Sequence, residues 1–149
     1  SDVGSNILEP GVPTYSADKC VGGTATASSN SASVDQAFDN ISTGTNWWGG
    51  AVGLPGYVQY DFGSGVAHVI RRVHIYPYFY IAASHCQAGT VLGSNDGSNW
   101  DTLTTWNDAA SDYYVDFANS TAYRYIRLNV TTAYNNQPII REVEMMTIE

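Results

Sequence analysis

Tyr123-Arg124-Tyr125-Ile126-Arg127-Leu128-Asn129-Val130 alternates. Arg124, Ile126, Leu128 and Val130 fall on one side of an extended chain, and Tyr125, Arg127 and Asn129 on the other. Side chains repeat every second residue in a strand, so this stretch reads as a β-strand whose apolar set turns to a core. Arg124 shares the inward side. A buried guanidinium without a partner is costly, so Arg124 belongs at the rim or against a carboxylate. The same period recurs on both sides of this stretch. Tyr57-Val58-Gln59-Tyr60-Asp61-Phe62 puts Val58, Tyr60 and Phe62 on one face and stops at Gly63-Ser64-Gly65. Ile139 to Met145 repeats the pattern, and Val69 to Tyr76, Gly89 to Gly93, Trp100 to Trp106 and Tyr113 to Phe117 are rich in strand formers. Thr24 to Ser29 is a weaker first strand, and Asn95-Asp96-Gly97 supplies a hairpin-type turn. The helical signal is one short turn over Val34 to Phe38, with Ser33 as its cap. About eight short strands without a long amphipathic helix predict an all-β antiparallel sandwich or barrel.

The chain has 149 residues, enough for one domain with one substantial core. It reads as a single module over residues 1–149, in which the Gly- and Pro-rich residues 1–23 form an irregular segment packed on the sandwich. Six basic residues, one of them Lys19, face fourteen acidic ones, for a net charge of −8. Nucleic acids and anionic lipid surfaces are bound through clustered Lys and Arg, so this balance counts against both partners. A surface of Ser, Thr, Asn, Gly and Tyr suits an uncharged partner read by hydrogen bonds and stacking. Cys20 and Cys86 lack metal-ligand spacing, and they form either one disulfide or two separate buried thiols. The low Lys content points to an extracellular setting. The chain opens on Ser1 with no signal peptide, as a mature or excised module would.

Eight blocks in order carry a family resemblance: Ala25-Thr26-Ala27-Ser28-Ser29, Ala37-Phe38-Asp39-Asn40, Thr45-Asn46-Trp47, Tyr57 to Gly63, Val69 to Val73, Gly93 to Trp100, Arg124 to Leu128 and Arg141-Glu142-Val143-Glu144. Together they resemble a discoidin domain, the coagulation factor V/VIII type C family. Within it the chain is most similar to family 32 carbohydrate-binding modules of secreted bacterial glycan-degrading enzymes. The resemblance implies an eight-stranded jelly-roll β-sandwich with ligand loops at one end. Its function would be non-catalytic: a monomeric module within a multidomain enzyme, holding that enzyme on a neutral sugar or polysaccharide.

The resemblance also implies a structural calcium ion beside the loop after the Ala-Phe-Asp segment. Asp39 would give a carboxylate, Thr45 its hydroxyl or carbonyl, and Glu142 would close the site from the last strand. Backbone carbonyls near Phe38, Ile41 and Arg141 would complete it. Ile41 stands where relatives often place an Asp or Asn ligand, and Asn40 replaces a common Gly, so Asn40 is a candidate in its stead. Calcium takes six to eight oxygens, and loops supply carbonyls readily.

Most of the four Trp, eleven Tyr and four Phe must be core. By family position, Trp47, Trp100, Tyr125 and Phe62 belong to the framework. The sugar candidates lie on loops: Trp48, then Tyr78, Tyr80 and His85, then Tyr134 and Asn135. Rings stack on the C–H face of a pyranose, and amides read hydroxyl direction by both donating and accepting. Relatives often carry a His at the position of Trp48 and an Arg at that of Tyr78, so a standard galactose site is not implied. An enzymatic reading finds no G-x-S-x-G, H-E-x-x-H or phosphate loop. Asp108, Asp112 and Asp116 recur every four residues, but on a loop and strand. An adhesive discoidin reading would use Tyr78-Phe79-Tyr80-Ile81 as a membrane or protein spike, without the basic support such spikes carry.

Overall fold

A computed structural model describes residues 11–80, 83–107 and 113–149, with Phe79 and Tyr80 described by their backbone. Two antiparallel sheets face each other. One has five strands in the order β1 (Thr24–Ala27), β3 (Gly56–Asp61), β10 (Tyr125–Thr132), β7 (Ala88–Ser94) and β8 (Asp101–Trp106). The other has four: β2 (Trp48–Gly49), β11 (Ile139–Met146), β4 (Arg72–Pro77) and β9 (Tyr113–Asp116). A hairpin of β5 (Phe79–Tyr80) and β6 (Ala83–Ser84) stands apart from both. All the strands expected from the two-residue period are present. The additions are β2 and the hairpin, both too short for a period to register.

β10 lies centrally in the larger sheet, between β3 and β7, and Ile126, Leu128 and Val130 are fully buried. They meet Val58, Tyr60, Val91, Ile75, Val143 and Met145 in one core. Each large apolar side chain so enclosed contributes roughly 1.5–3 kcal/mol before chain entropy is counted. Arg124 behaves as its inward position requires, donating Nε and an Nη to the two carboxylate oxygens of Asp61 at 2.7 and 2.9 Å. That contact holds Asp61 below the usual carboxylate range. The Asp-Gly turn is also as read: Gly97 has φ +74°, and Asp96 accepts the Ser98 and Asn99 N–H groups.

One local expectation changes, and one open alternative is decided. The helical turn is a longer 3-10 helix, Ser31–Phe38, entered from Asn30 in a left-handed conformation. Ser33 does not cap it: its hydroxyl donates to the Asn30 carbonyl at 3.1 Å. Cys20 and Cys86 are separate buried thiols. Cys86 sits under Trp106, whose Nε1 donates to its carbonyl, whereas Cys20 lies in the N-terminal segment tied to β11 through Lys19 N–H and the Met145 carbonyl. Within residues 11–23, the Ser16 N–H donates to the Thr147 carbonyl and Tyr15 bridges Ile148. Among the described residues no helix is long and apolar enough to cross a membrane.

Candidate functional site

Three chain segments meet at one end of the four-stranded sheet. β2 pairs with the start of β11, and the loop after β2 is fastened to the turn before β11. The Gly50 N–H donates to the Pro138 carbonyl at 2.8 Å, Gly53 N–H to Asn136 at 2.7 Å, and the Gln137 amide to the Gly50 carbonyl at 2.9 Å. The fit requires glycine: a Cβ on Gly50 or Gly56 would sit 2.8 or 2.7 Å from Pro138 Cγ. The segment around the hairpin joins through His85, whose N–H donates to the Tyr78 carbonyl and whose carbonyl accepts from Ile139 N–H. Nδ1 of the same residue lies 3.0 Å from the Gln137 carbonyl and, facing an acceptor, carries the proton.

A chain of rings crosses these segments. Trp47 lies 4.9 Å from Tyr78 between centroids, Tyr78 5.8 Å from His85, and His85 5.3 Å edge-on from Tyr134. Trp47, Tyr78 and Tyr134 are half-buried, while Asn135 and Asn136 are exposed. Both asparagines are left-handed, with φ 54° and 56°, which turns the chain sharply beside Tyr134. The Tyr78 ring is braced against Trp47 rather than standing free, so the first residue of the adhesive spike is part of this cluster.

Two expected sugar residues change role. Trp48 is wholly buried, its Nε1 donating to the Ser29 carbonyl at 2.9 Å, so it offers no ring face to a ligand. Neighbouring strand residues point to opposite sides, and the paired Trp47-Trp48 must split between core and surface. Trp47, expected as framework, is the one on the open side, its N–H held by the Gln36 side chain at 3.3 Å. His85 is also buried and orients Tyr78 and Tyr134 from behind. Tyr78, Tyr134 and Asn135 lie together at the rim. The Tyr80 side chain, Ile81, Asp108 and Asp112 lie outside the described residues. Asp116 is paired with Arg72, Oδ1 at 2.6 Å from Nε. Of the other histidines, His74 packs in the outer layer of the four-stranded sheet between Tyr76 and Tyr114.

Of the expected metal ligands, Glu142 of β11 and Asp39 of the loop after the 3-10 helix stand side by side. Glu142 is fully buried, and neither carboxylate oxygen has a hydrogen-bond partner among the described residues. Burial, then the adjacent Asp39 carboxyl, pushes its pKa up to about 9. Asp39 accepts from the Ile41 N–H and the Asn46 amide, and Asn40 takes φ 61° at the loop's corner. Phe38 is buried and Thr45 exposed. Asp18, which the sequence did not single out, brings a third acid: one oxygen accepts the Cys20 and Met145 N–H groups, and the other is buried without a partner. No three His, Cys, Asp or Glu side chains converge among the described residues, so a cation here would need carbonyls as well. Bare, buried carboxylate oxygens next to a second carboxylate are a donor set that fits a hard cation such as calcium. An open hollow of about 350 Å³, bordered by Cys20, Gly23, Phe38, Asp39 and Tyr60, adjoins this acidic side.

The family model for the F5/8 type C domain matches residues 24–145. The chain belongs to this family. The matched span runs from β1 into β11 and so includes the ring cluster, Asp39 and Glu142, leaving Asp18 and the rest of the N-terminal segment outside. Solved structures of the same fold include the family 32 carbohydrate-binding module of Clostridium perfringens NanJ in complex with galactose. It is 15% identical, with TM-score 0.74, covering 90% of this chain and 100% of that one. A module of the C. perfringens protein CpGH89, CBM32-5, in complex with GalNAc-β-1,3-galactose, is 18% identical, with TM-score 0.73, covering 87% and 99%. Chitosan-binding module 1 from a chitosanase/glucanase of Paenibacillus sp. IK-5 is 26% identical, with TM-score 0.67, covering 86% and 97%. No curated protein matches the sequence. In this F5/8 type C domain the sandwich is thus the part shared with those structures.

Proposed function

We propose that this F5/8 type C domain is a non-catalytic carbohydrate-binding module of a secreted, multidomain glycan-active enzyme. The observation that carries the reading is the half-buried trio Trp47, Tyr78 and Tyr134, fixed by three hydrogen-bonded segments and flanked by the exposed Asn135. Rings already immobilised lose little entropy when a sugar lies against them, and the asparagine amide supplies direction. The named ligands of the similar structures, galactose, GalNAc-β-1,3-galactose and chitosan, support a saccharide without choosing one. A site built on a few surface rings binds at micromolar to millimolar strength, about 4 kcal/mol at one millimolar. Tethering to a catalytic domain or repetition of modules then gives useful retention.

Calcium belongs to the proposal as a structural ion. Asp39 and Glu142 would hold it with carbonyls of the loop after Phe38, and with Thr45, Asn40 or Arg141 main-chain oxygens where these reach. When bound, it supplies positive charge that makes the buried carboxylates tolerable.

The reading is tested by a polysaccharide and glycan binding screen on the wild type, Trp47→Ala and Tyr134→Ala, with thermal midpoints measured alongside. Retention lost in both variants with midpoints within a few degrees of wild type is the expected result. Undiminished retention in both variants would place the site elsewhere, and a wild type retained on no saccharide would end the carbohydrate reading.

A further inference from the structure

The described arginines other than Arg141 all have hydrogen-bond acceptors. Arg72 holds Asp116, Arg124 holds Asp61, Arg127 donates to Gln59 and Arg71 to the Phe117 carbonyl. Arg141 has no hydrogen bond or ion pair among the described residues, and its Nε is buried and bare. Its contact is with Tyr78: Cζ stands 5.5 Å from the ring centroid, within cation–π range. The register of β11 against β4 slips between Ile140 and Glu142, which makes Arg141 the extra residue of a β-bulge. Bulges re-aim a side chain and are favoured beside functional sites. Here the bulge sets Arg141 beside the ring at the centre of the cluster, while Glu142, next in sequence, goes to the acidic set.

We infer that Arg141 reads a carboxylate on the bound saccharide, so that the ligand of this domain is a uronic-acid-containing polymer. The inference rests on the carbohydrate reading above. With Nε enclosed and the residue half-buried, the terminal amines are the donors left for a ligand beside Tyr78. A guanidinium presents two parallel donors in a plane, which match the two oxygens of a carboxylate. A half-buried cation with unused donors is unfavourable in the free protein, and an anionic partner that completes its bonds relieves that cost. The arrangement also answers the net charge of −8: repulsion from distant acids is screened over about 8 Å in physiological salt, whereas a contact at a half-buried guanidinium is not. The negative surface therefore does not exclude an acidic sugar held at this one point.

The experiment is affinity electrophoresis of the intact chain through gels containing polygalacturonate or polymannuronate. Each polymer is run beside the same polymer with its carboxyl groups reduced to alcohols. A charge-assisted bidentate contact predicts that at least one native polymer retains the wild type about tenfold more strongly than its reduced form. Arg141→Gln should bring retention on the native polymer down to the level of the reduced one, and Arg141→Lys should restore it in part. Should Arg141→Gln fail to fold, the wild type on native and reduced polymer still decides. Equal retention on native and reduced polymers overturns the inference and leaves the carbohydrate reading standing, as does preference for a sulfated galactan over both uronates. Retention on no saccharide of the wider screen removes the reading and the inference together.

Discussion

Glu142→Gln probes the acidic set with a sign that can be worked out beforehand. Glu142 is wholly enclosed, and burial together with Asp39 lifts its pKa from 4.5 to about 9. Without a cation, the folded chain must therefore hold a proton at neutral pH that the unfolded chain has released. A folded pKa above the unfolded one gives stability that is complete below pH 4.5. That stability falls through the window up to about pH 9 and is level beyond it. Within the window each pH unit costs about 1.4 kcal/mol, so the step from pH 5 to pH 7 costs about 2.5 kcal/mol. For a domain of this size that corresponds to about 5–10 °C in thermal midpoint. Glutamine keeps the shape and cannot ionise. In chelator, the midpoint of wild type minus that of Glu142→Gln should fall by this amount between pH 5 and pH 7, and any constant difference cancels. Calcium reverses the order, because a cation lets both carboxylates stay charged. At a hundredfold excess over Kd the wild type gains about 2.7 kcal/mol, and the variant, one carboxylate short, gains less. Melts at pH 5, 6, 7 and 8, with chelator and with calcium, provide the test. A wild type that tracks the variant at every pH and ignores calcium would refute both the burial argument and the cation.

Trp48→Ala removes the largest side chain of the β2 end of the core and should cost about 3–5 kcal/mol, seen as a large fall in thermal midpoint. Trp47→Ala should leave the midpoint nearly in place. Equal effects of the two would mean that the surface and core assignments of this pair are wrong. Burial pushes the Cys86 thiol up to about 12 and raises Cys20 as well, so a thiol reagent at pH 8 should label neither in the folded protein and both in denaturant. Intact mass should show two free thiols, and a loss of two protons relative to the reduced chain would instead report a disulfide.

The sandwich was legible because its signal repeats. Ile126, Leu128 and Val130 alternate against Tyr125, Arg127 and Asn129, and a slip of one residue would turn the whole apolar set to solvent. Arg124 broke the pattern, and the physical cost of its position predicted a carboxylate partner, which is Asp61. The pairs that decide the rim carry no such redundancy. Trp48 opens a strand of only two residues, Trp48–Gly49, and Trp47 precedes it, so the period has no length in which to declare itself. Which ring faces outward is set by β11, whose Ile139 and Ile140 pair with Gly49 and Trp48 from far along the chain. Tyr78 and His85 are joined by the backbone bond around the hairpin, but the setting of the His85 ring is tertiary, fixed by the Gln137 carbonyl. Asp18 was invisible for a similar reason: it lies in an irregular segment and meets Met145 only because that segment runs beside the last strand.

β11 shows why the two sites cannot be read independently. Ordinary alternation would send Arg141 and Glu142 to opposite faces of the sheet, one toward the core. Burying that guanidinium in an apolar core beside Val143 would be strongly unfavourable. The bulge between Ile140 and Glu142 avoids this by inserting one residue, after which Glu142, Glu144 and Met146 face Tyr76, His74 and Arg72 of β4 while Val143 and Met145 keep the core face. Such a break in the ladder forgoes regular backbone pairing, and it persists because both neighbouring side chains gain a place: Glu142 under the 3-10 helix with Asp39, and Arg141 against Tyr78. A cation that ties Glu142 to the loop after Phe38 would therefore also steady the backbone from which Arg141 projects. Such a coupling would need no relay of side chains, since Arg141 and Glu142 stand on adjacent Cα atoms of one strand.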